Sequence, residues 1–214
     1  MTDRRYDDPC GIARALNLIG ERWALLVVRE LLFGPRRFTD LKAGLPTASQ
    51  NVLTHRLREL RESGIVTRHQ VGAPVYELTR RGYELKPVVL ELARWGCHLP
   101  TASTMDLSVP AVIFALLTTF SPDQAGDLRA TYQLRIDDEA FRATIAAGTV
   151  DISPGLHDKP DATIEAGRAT LRSLVFGGAN LSEAIDAGNA RVDGSADAVA
   201  KFLAVFPRPA ITSL

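Results

Sequence analysis

Apolar and polar residues recur at helical spacing along residues 48–63. At about 100° per residue, Leu53, Leu57 and Leu60 share one side of the predicted helix, which a hydrophobic core would bury. The opposite side carries polar groups of the kind that hydrogen-bond to base edges or phosphates in the DNA major groove, namely Asn51, Thr54, His55 and Arg58. A polar outer face is common among surface helices, so the neighbouring elements decide what this helix does.

The segments around this helix predict a helix-turn-helix. Thr47 and Gln50 are spaced as a capping box, so the helix is expected to begin at Ala48, and Gly64 is a typical stop. Residues 36–45 predict a shorter preceding helix. Its inner positions are Phe38, Leu41 and Leu45. A helix, a tight turn and a second helix are the plan of this DNA-binding motif.

A β-hairpin is predicted directly after Gly64. Two β-rich runs, at 65–70 and 75–79, flank a turn signal at 71–74. A hairpin behind a recognition helix is a wing, and Arg68 near its tip is expected to meet the sugar-phosphate backbone. The wing loop is short, which would reduce its reach.

Two helices are predicted ahead of the helix-turn-helix. Asp8 is expected to cap a first helix that begins at Pro9. Its buried stripe would be Ile12, Leu16 and Ile19. Residues 23–33 are apolar almost all round, as in a central core helix, and Gly34 with Pro35 ends that run.

A last helix of the first half is predicted from a cap at Thr79 to about Trp95, with Pro87 either kinking it or lying in its first turns. Its apolar positions are Leu85, Val88, Val89, Leu92 and Trp95. This is more apolar surface than a small domain needs, so part of the helix is expected to contact a second copy of the protein. The alternative is a contact with the second half of the chain.

The second half predicts an α+β domain, in which helices cover an antiparallel sheet. A linker of small and polar residues is expected at 100–104, which places the two domains at 1–99 and 106–214. Residues 131–136 alternate apolar and polar like a half-buried strand. Further strands are expected at 140–147, 150–152 and 162–164, and helices at 109–120, 169–176, 182–187 and 195–205.

Composition and charge agree with this division. The chain has 214 residues, is 46% hydrophobic and carries a formal net charge of +0. Residues 1–100 contain 16 Lys+Arg and 11 Asp+Glu, whereas residues 101–214 contain 9 and 14, so the halves carry +5 and −5. A basic half joined to an acidic half predicts that only the first half meets DNA.

Several other classes of function are disfavoured. No stretch has the roughly 18–20 apolar residues of a membrane span, and the N-terminus lacks the apolar core of a signal peptide. The cysteines Cys10 and Cys97 form neither a disulfide framework nor a zinc motif, so a reducing cytoplasm is expected. The four histidines lack metal-ligand spacing, and Gly177 with Gly178 lacks the context of a phosphate loop. We therefore expect no metal, no cofactor and no enzymatic activity.

The first half resembles the HxlR-type winged-helix regulators, which are relatives of the MarR group. The matching residues are Cys10, Gly20-Glu21-Arg22-Trp23, the run from Leu31 to Phe38, the helix from Leu53 to Leu60, Tyr76-Glu77-Leu78-Thr79 and Gly82. The resemblance covers about residues 6–97. It implies a homodimer that reads a two-fold-related operator on double-stranded DNA, with one recognition helix in each half-site.

Within this plan the residues expected at the DNA fall into three groups. Asn51, Thr54, His55 and Arg58 would face bases; Arg36, Arg37, Arg56 and Arg68 would face phosphates; and Ser49 and Gln50 lie at the start of the helix. Cys10 is expected at about the second residue of the first helix, where the helix dipole favours the thiolate, and some HxlR-type proteins sense oxidants with a cysteine here. The alternative is a small buried residue at the dimer surface.

The second half resembles a sterol-carrier-protein domain over about residues 108–207. The likeness lies in Pro160-Asp161-Ala162-Thr163-Ile164, Leu174-Val175-Phe176-Gly177-Gly178, Ala184-Ile185-Asp186-Ala187-Gly188 and Val192-Asp193-Gly194, with Phe202 following. It implies an apolar tunnel for lipid-like or aromatic molecules. Candidate lining residues are Phe114, Leu117, Tyr132, Leu134, Phe141, Leu174, Phe176 and Phe202. Ordinary core packing is the alternative for each of them.

The leading hypothesis is a homodimeric transcriptional regulator that responds to a hydrophobic small molecule in its second domain. One alternative is a regulator switched by oxidation of Cys10. Another is a lipid-binding or carrier module whose winged helix only dimerises.

Overall fold

The structure is a computed structural model, and it describes residues 6–70, 72–101, 103 and 105–211. The chain divides into two compact units, Met1–Val89 and Leu90–Leu214. The division falls within a helix, ahead of the expected linker, of which Ala102 and Thr104 lie outside the described residues. The domain limits at 1–99 and 106–214 stay a prediction.

The first unit has the predicted winged helix-turn-helix arrangement. Its elements in chain order are α1 (Gly11–Ile19), α2 (Ala24–Leu31), β1 (Arg36–Arg37), α3 (Phe38–Gly44), α4 (Gln50–Glu62), β2 (Val66–His69), β3 (Val75–Leu78), α5 (Arg80–Tyr83) and the first part of α6 (Lys86–Gly96). The strands form an antiparallel sheet in the order β1-β3-β2. The core lies between α2 and α4, where Val27, Leu31, Leu53 and Leu57 are almost inaccessible to solvent. The apolar face predicted for α4 is therefore confirmed.

Three helix starts differ from the prediction, two because other side chains cap the backbone and one because a short strand precedes the helix. Helix α1 is capped by Cys10, whose Sγ accepts from the backbone N–H of Ala13 at 3.3 Å, while Asp8 accepts from the backbone N–H of Cys10. Helix α4 begins at Gln50, because the hydroxyl of Ser49 rather than Thr47 accepts from the N–H of Val52. Helix α3 begins only at Phe38, since the two residues before it pair with β3 as strand β1.

The helix predicted between Thr79 and Trp95 is divided into two. The hydroxyl of Thr79 accepts from the N–H of Gly82 and caps the short α5, and the chain restarts as α6, with Pro87 in its first turn. A proline costs no hydrogen bond at that position. On α6 only Val89 is buried, whereas Val88, Leu92 and Trp95 are exposed.

Helix α1 also exposes apolar side chains. Of its predicted stripe only Ile19 is buried, while Ile12 is 74% exposed and Leu16 is 40% exposed. The expectation that Ile12 and Leu16 lie in the core of a single chain is therefore wrong.

The second unit is an α+β domain. After α6 its elements are α7 (Val109–Thr119), α8 (Pro122–Ala125), β4 (Ala130–Ile136), β5 (Glu139–Ala146), β6 (Thr149–Pro154), β7 (Ala162–Ala166), α9 (Arg168–Phe176), α10 (Leu181–Asp186), β8 (Ala190–Gly194) and α11 (Ala196–Ala204). The predicted strands and helices are confirmed to within a few residues, whereas α8 and β8 were not predicted. Their combination with the winged unit confirms the α+β fold class.

The sheet of the second unit is mixed rather than antiparallel. Its order is β6-β5-β4-β7-β8, and β4 pairs with β7 in parallel. The chain reaches β7 through residues 155–161, and the buried amide of Gln133 holds this loop. Its Nε2 donates to the carbonyls of Phe141 and Gly155, and its Oε1 accepts from the N–H of His157 at 2.7 Å. A buried amide with its donors and acceptor satisfied fixes such a crossover.

Candidate nucleic-acid interface

Helix α4 buries one face, and its amino end is exposed at Ser49 and Gln50. Leu45 and Ala48 are buried in the turn that precedes it, and the hydroxyl of Ser49 satisfies one of the first backbone N–H groups. The helix ends at Glu62, and Gly64, two residues later, has a φ of +69° in the left-handed region that favours glycine.

The outer face of α4 carries the predicted base-contacting side chains. Gln50, Asn51, Thr54 and Arg58 are exposed, and the imidazole of His55 is half-exposed. Nη2 of Arg58 lies 2.7 Å from Nδ1 of His55, and Nε2 of His55 lies 3.0 Å from Oε1 of Glu59. Because a guanidinium only donates, Nδ1 is the acceptor and Nε2 carries the proton that Glu59 accepts. These contacts orient the Arg58 side chain along the outer surface of the helix.

Arg56 does not belong to this face. It is 7% exposed, and its guanidinium donates to the carboxylates of Glu59 and, at 3.3 Å, Glu21. Its Nε is buried without a hydrogen-bond partner among the described residues. The prediction that Arg56 faces a phosphate is therefore wrong, because its charge is already satisfied on the inner side of the helix.

A cleft of about 350 Å³ lies between the end of α4 and the wing. It brings together the arginines Arg58, Arg61 and Arg68, with Glu62 beside them. Sequence reasoning missed Arg61, although its position three residues after Arg58 places the two on neighbouring turns. Three guanidinium groups around one cleft form a surface suited to phosphate.

The other predicted phosphate contacts lie on the small sheet. Arg37 is exposed and Arg36 is half-buried, both on β1. The guanidinium of Arg68 on β2 lies over the Tyr76 ring, 5.9 Å from its centroid, which steadies the side chain while leaving it exposed. Val71, in the wing turn, lies outside the described residues.

Cys10 is exposed and is the cap of α1 rather than its second residue. Its thiol is accessible in the single chain, and the alternative, burial of Cys10 at a dimer surface, stays a prediction. Its oxidation stays a prediction.

The residues predicted to line a ligand tunnel are mostly buried. Seven of the eight are buried, and the rings of Tyr132 and Phe202 are in tilted contact with centroids 4.7 Å apart. Phe176 is half-buried and lines a surface cleft instead. The hydroxyl of Tyr132 is buried without a hydrogen-bond partner among the described residues, and its pKa is raised by burial and by the nearby charge of Asp161. The ligand-binding role of these residues stays a prediction.

Two kinds of feature are absent from the residues that the structure describes. In this part of the chain no three side chains of His, Cys, Asp or Glu group as metal ligands. No helix among the same residues combines the length and the apolar character needed to cross a membrane.

Comparison with known proteins assigns each half of the chain to a known family model. Residues 18–103 match the model described as HxlR-like helix-turn-helix, and residues 101–211 match the model described as alkyl sulfatase C-terminal. The second match does not test the likeness to sterol-carrier proteins, which stays a prediction.

The chain is similar to regulators from Bacillus subtilis (strain 168). It is 36% identical over 97 residues to YvaP, an uncharacterized HTH-type transcriptional regulator, and the match covers 44% of this chain and 90% of YvaP. It is 35% identical over 86 residues to the HTH-type transcriptional regulator YodB, covering 38% of this chain and 77% of YodB. The crystal structure of quinone-bound YodB from B. subtilis is 36% identical, covers 40% of this chain and 93% of that chain, and has a TM-score of 0.37.

Proposed function

The chain belongs to the HxlR-like helix-turn-helix family through residues 18–103 and to the alkyl sulfatase C-terminal family through residues 101–211, and from this premise we propose a homodimeric, ligand-responsive transcriptional regulator. Its winged unit binds a two-fold-related operator on double-stranded DNA in the cytoplasm. The second unit supplies the response to a small molecule and no catalysis.

The observation that carries DNA binding is the basic and polar surface formed by α4 and the wing. Asn51, Thr54 and His55 lie on the outer face of α4 and carry groups that can hydrogen-bond to base edges, while Arg58, Arg61 and Arg68 share one cleft. Arg36 and Arg37 extend the surface along β1. Ser49 and Gln50 lie at the amino end of α4, where helix-turn-helix proteins make their base contacts.

The test uses the full-length protein and a duplex that it selects from a random pool. Changing Arg61 to Ala is expected to weaken binding to every sequence and to reduce the slope of log affinity against log salt by about 1, as for one lost phosphate contact. Changing Arg58 to Ala weakens only the selected duplex, by ~1–3 kcal/mol, if Arg58 reads a base. Arg191→Ala, on β8 of the second unit, is the control. If the wild type selects no sequence and its DNA affinity does not depend on salt, DNA binding is wrong and the lipid-binding or carrier module remains as the alternative.

Dimerisation is supported by apolar side chains left on the surface of two helices. Ile12 and Leu16 are exposed on α1, and Val88, Leu92 and Trp95 are exposed on α6. A surface of this kind marks an interaction site in a water-soluble unit. A two-fold dimer gives two recognition helices for the two halves of an operator.

The second unit is proposed to bind a small molecule with an apolar part. The family model that it matches is described as alkyl sulfatase C-terminal. A coupling of ~1–3 kcal/mol between ligand and operator would change operator affinity by ~5–150-fold. If a ligand that saturates the protein leaves operator affinity unchanged, this part of the proposal is wrong.

A second candidate is a redox response through Cys10. It is favoured by the exposure of the thiol at the cap of α1, next to the exposed Ile12. Oxidant treatment of wild type and Cys10→Ser, followed by operator titration, tests it. Equal loss or equal retention of binding in both proteins would exclude it.

A further inference from the structure

An open cleft of about 420 Å³ lies within the second unit, away from the packed aromatic core. Three segments form its walls: helix α9, residues 97–101 directly after α6, and residues 208–211 near the end of the chain. The volume lies in the range of small-molecule sites, roughly 300–1,000 Å³. The segment 208–211 is held against the segment 97–101, because Nδ1 of His98 lies 2.9 Å from the carbonyl oxygen of Ala210.

We propose that this cleft binds an amphiphilic anion, a molecule with an oxyanion headgroup and an alkyl or aryl tail. The proposal deepens the ligand response proposed above, since it names the site and the chemical class of the ligand. It also moves the site from the predicted tunnel to a cleft that shares only Phe176 with it.

The charge of the cleft selects the headgroup. Its lining contains two arginines, Arg172 and Arg208, and no acidic residue, although residues 101–214 as a whole carry a net charge of −5. The guanidinium of Arg172 lies 3.9 Å from the carboxylate of Asp106, at the outer limit of an ion pair, so a bound oxyanion can take its place. Two guanidinium groups around one anion form charge-assisted hydrogen bonds, which are the stronger ones in proteins.

The apolar lining selects the tail. Phe176 of α9 lines the cleft together with apolar side chains of the two other segments. These are Leu99, Pro209 and Ile211. In the region of the predicted tunnel, the rings of Tyr132, Phe202 and Phe206 pack in tilted and edge-on contacts, with centroids 4.7 and 4.9 Å apart. An apolar chain would have to separate those rings, whereas the cleft is already open.

The position of the cleft along the chain gives the ligand a route to the dimer. Cys97 and Leu99 line the cleft and follow immediately after Gly96, the last residue of α6. An occupant therefore contacts the segment that continues from the helix bearing Leu92 and Trp95. A ligand that holds this segment favours one conformation of the carboxyl end of α6 over others.

The test is isothermal titration calorimetry of the full-length protein with decanoate and with 1-decanol, which share a tail and differ in charge. We expect decanoate to bind about tenfold or more tightly than decanol, because only the anion engages the guanidinium groups. The double variant Arg172→Gln/Arg208→Gln should bind decanoate no better than decanol, while Arg191→Gln, outside the cleft, keeps the preference. Circular dichroism checks that both variants fold.

Two results would overturn the proposal: equal binding of the anion and the alcohol by the wild type, or an undiminished preference for decanoate in the folded double variant. A separate operator titration in the presence of decanoate distinguishes this proposal from the regulatory one. If decanoate binds but leaves operator affinity unchanged, the cleft is a ligand site without a regulatory role. If operator affinity still responds to a small molecule in the double variant, the protein is ligand-responsive but the response does not come from this cleft.

Discussion

Nη2 of Arg56 lies 3.3 Å from Oε2 of Glu21, a residue 35 positions earlier in the chain. The contact joins the inner side of α4 to the turn between α1 and α2. In that turn Trp23 adopts a φ of 78°, a left-handed conformation that is costly for a bulky residue and is retained only where the surroundings enforce it. The pair therefore fixes the recognition helix against the turn that follows α1.

Replacing Arg56 with Met should destabilise the protein, whereas the same change at Arg58 should not. Met keeps most of the apolar stem of Arg56 but leaves Glu21 and Glu59 without their partner. Both carboxylates are partly exposed and can regain water, so the free energy of unfolding should fall by about 1–2 kcal/mol rather than the ~3–5 kcal/mol of a fully buried pair. Urea denaturation followed by circular dichroism measures this loss.

Arg58→Met supplies the contrast on the outer face of the same helix. Its free energy of unfolding should stay within about 0.5 kcal/mol of the wild type, while its affinity for the selected duplex falls. The reverse pattern, with Arg56→Met stable and Arg58→Met unstable, would mean that the two faces of α4 have been assigned the wrong way round.

Gly82→Ala should be among the most damaging small changes in the first unit. A Cβ at Gly82 would lie 2.3 Å from the backbone oxygen of Ile65 and 3.0 Å from a methyl carbon of Leu78. Because the backbone oxygen cannot rotate away, the overpacking should cost about 1–3 kcal/mol of stability. Gly96→Ala is the matched control, since a Cβ there meets nothing within 4 Å. We expect the control to be neutral or slightly stabilising, and equal melting temperatures for the two variants would contradict the close approach of α5 to Ile65.

Asp161 should make the second unit sensitive to acid. Its carboxylate accepts from the backbone N–H of Thr131 at 2.7 Å and from the hydroxyl of Thr131 at 2.9 Å, and these hydrogen bonds lower its pKa from the ordinary value of 3.8. A group whose pKa is lower in the folded state stabilises the fold above its unfolded pKa, and this contribution is lost as the pH falls through the folded value. Wild type should therefore be more stable than Asp161→Asn at pH 7, and the difference should shrink below pH 3.8.

Urea denaturation of both proteins between pH 7 and pH 2.5 measures that difference. Asp158→Asn, an exposed change in the same loop, is the control and should run parallel to the wild type. A difference between wild type and Asp161→Asn that stays constant with pH would show that the carboxylate charge is not what Thr131 stabilises.

Most elements could be predicted because their signals are local. The spacing of Leu53, Leu57 and Leu60 defines α4, and the alternation from Thr131 to Ile136 defines β4. Charge partners are not local in this sense. Arg56 was expected at a phosphate, and only the folded chain shows that Glu21 lies near enough to accept from its guanidinium.

The same limit applies to the sheet and to the ligand site. A meander of strands predicts antiparallel neighbours, but β7 pairs with β4 in parallel. The amide of Gln133 holds residues 155–157 in the loop that makes this pairing possible. Nothing in the sequence around Gln133 indicates this role. Aromatic residues that are suited to a tunnel are equally suited to a core, and only the folded chain shows that the ring of Tyr132 lies 4.7 Å, centroid to centroid, from that of Phe202.

Trp95→Ser should weaken dimerisation more than the loss of an equally exposed apolar residue elsewhere. The indole is 67% exposed on α6, in the sequence neighbourhood of the exposed Leu92, and large aromatic residues contribute most to interfaces. Removing such an anchor costs about 2 kcal/mol or more, which corresponds to a dimer dissociation constant raised by about 30-fold.

Leu156→Ala, which removes a side chain 62% exposed in the loop after β6, is the control and should dimerise like the wild type. Sedimentation velocity over a dilution series measures the dissociation constants. Operator affinity should fall with the dimer, because a monomer occupies only one half-site. If Trp95→Ser remains as dimeric as Leu156→Ala at every concentration, the exposed face of α6 does not form the interface.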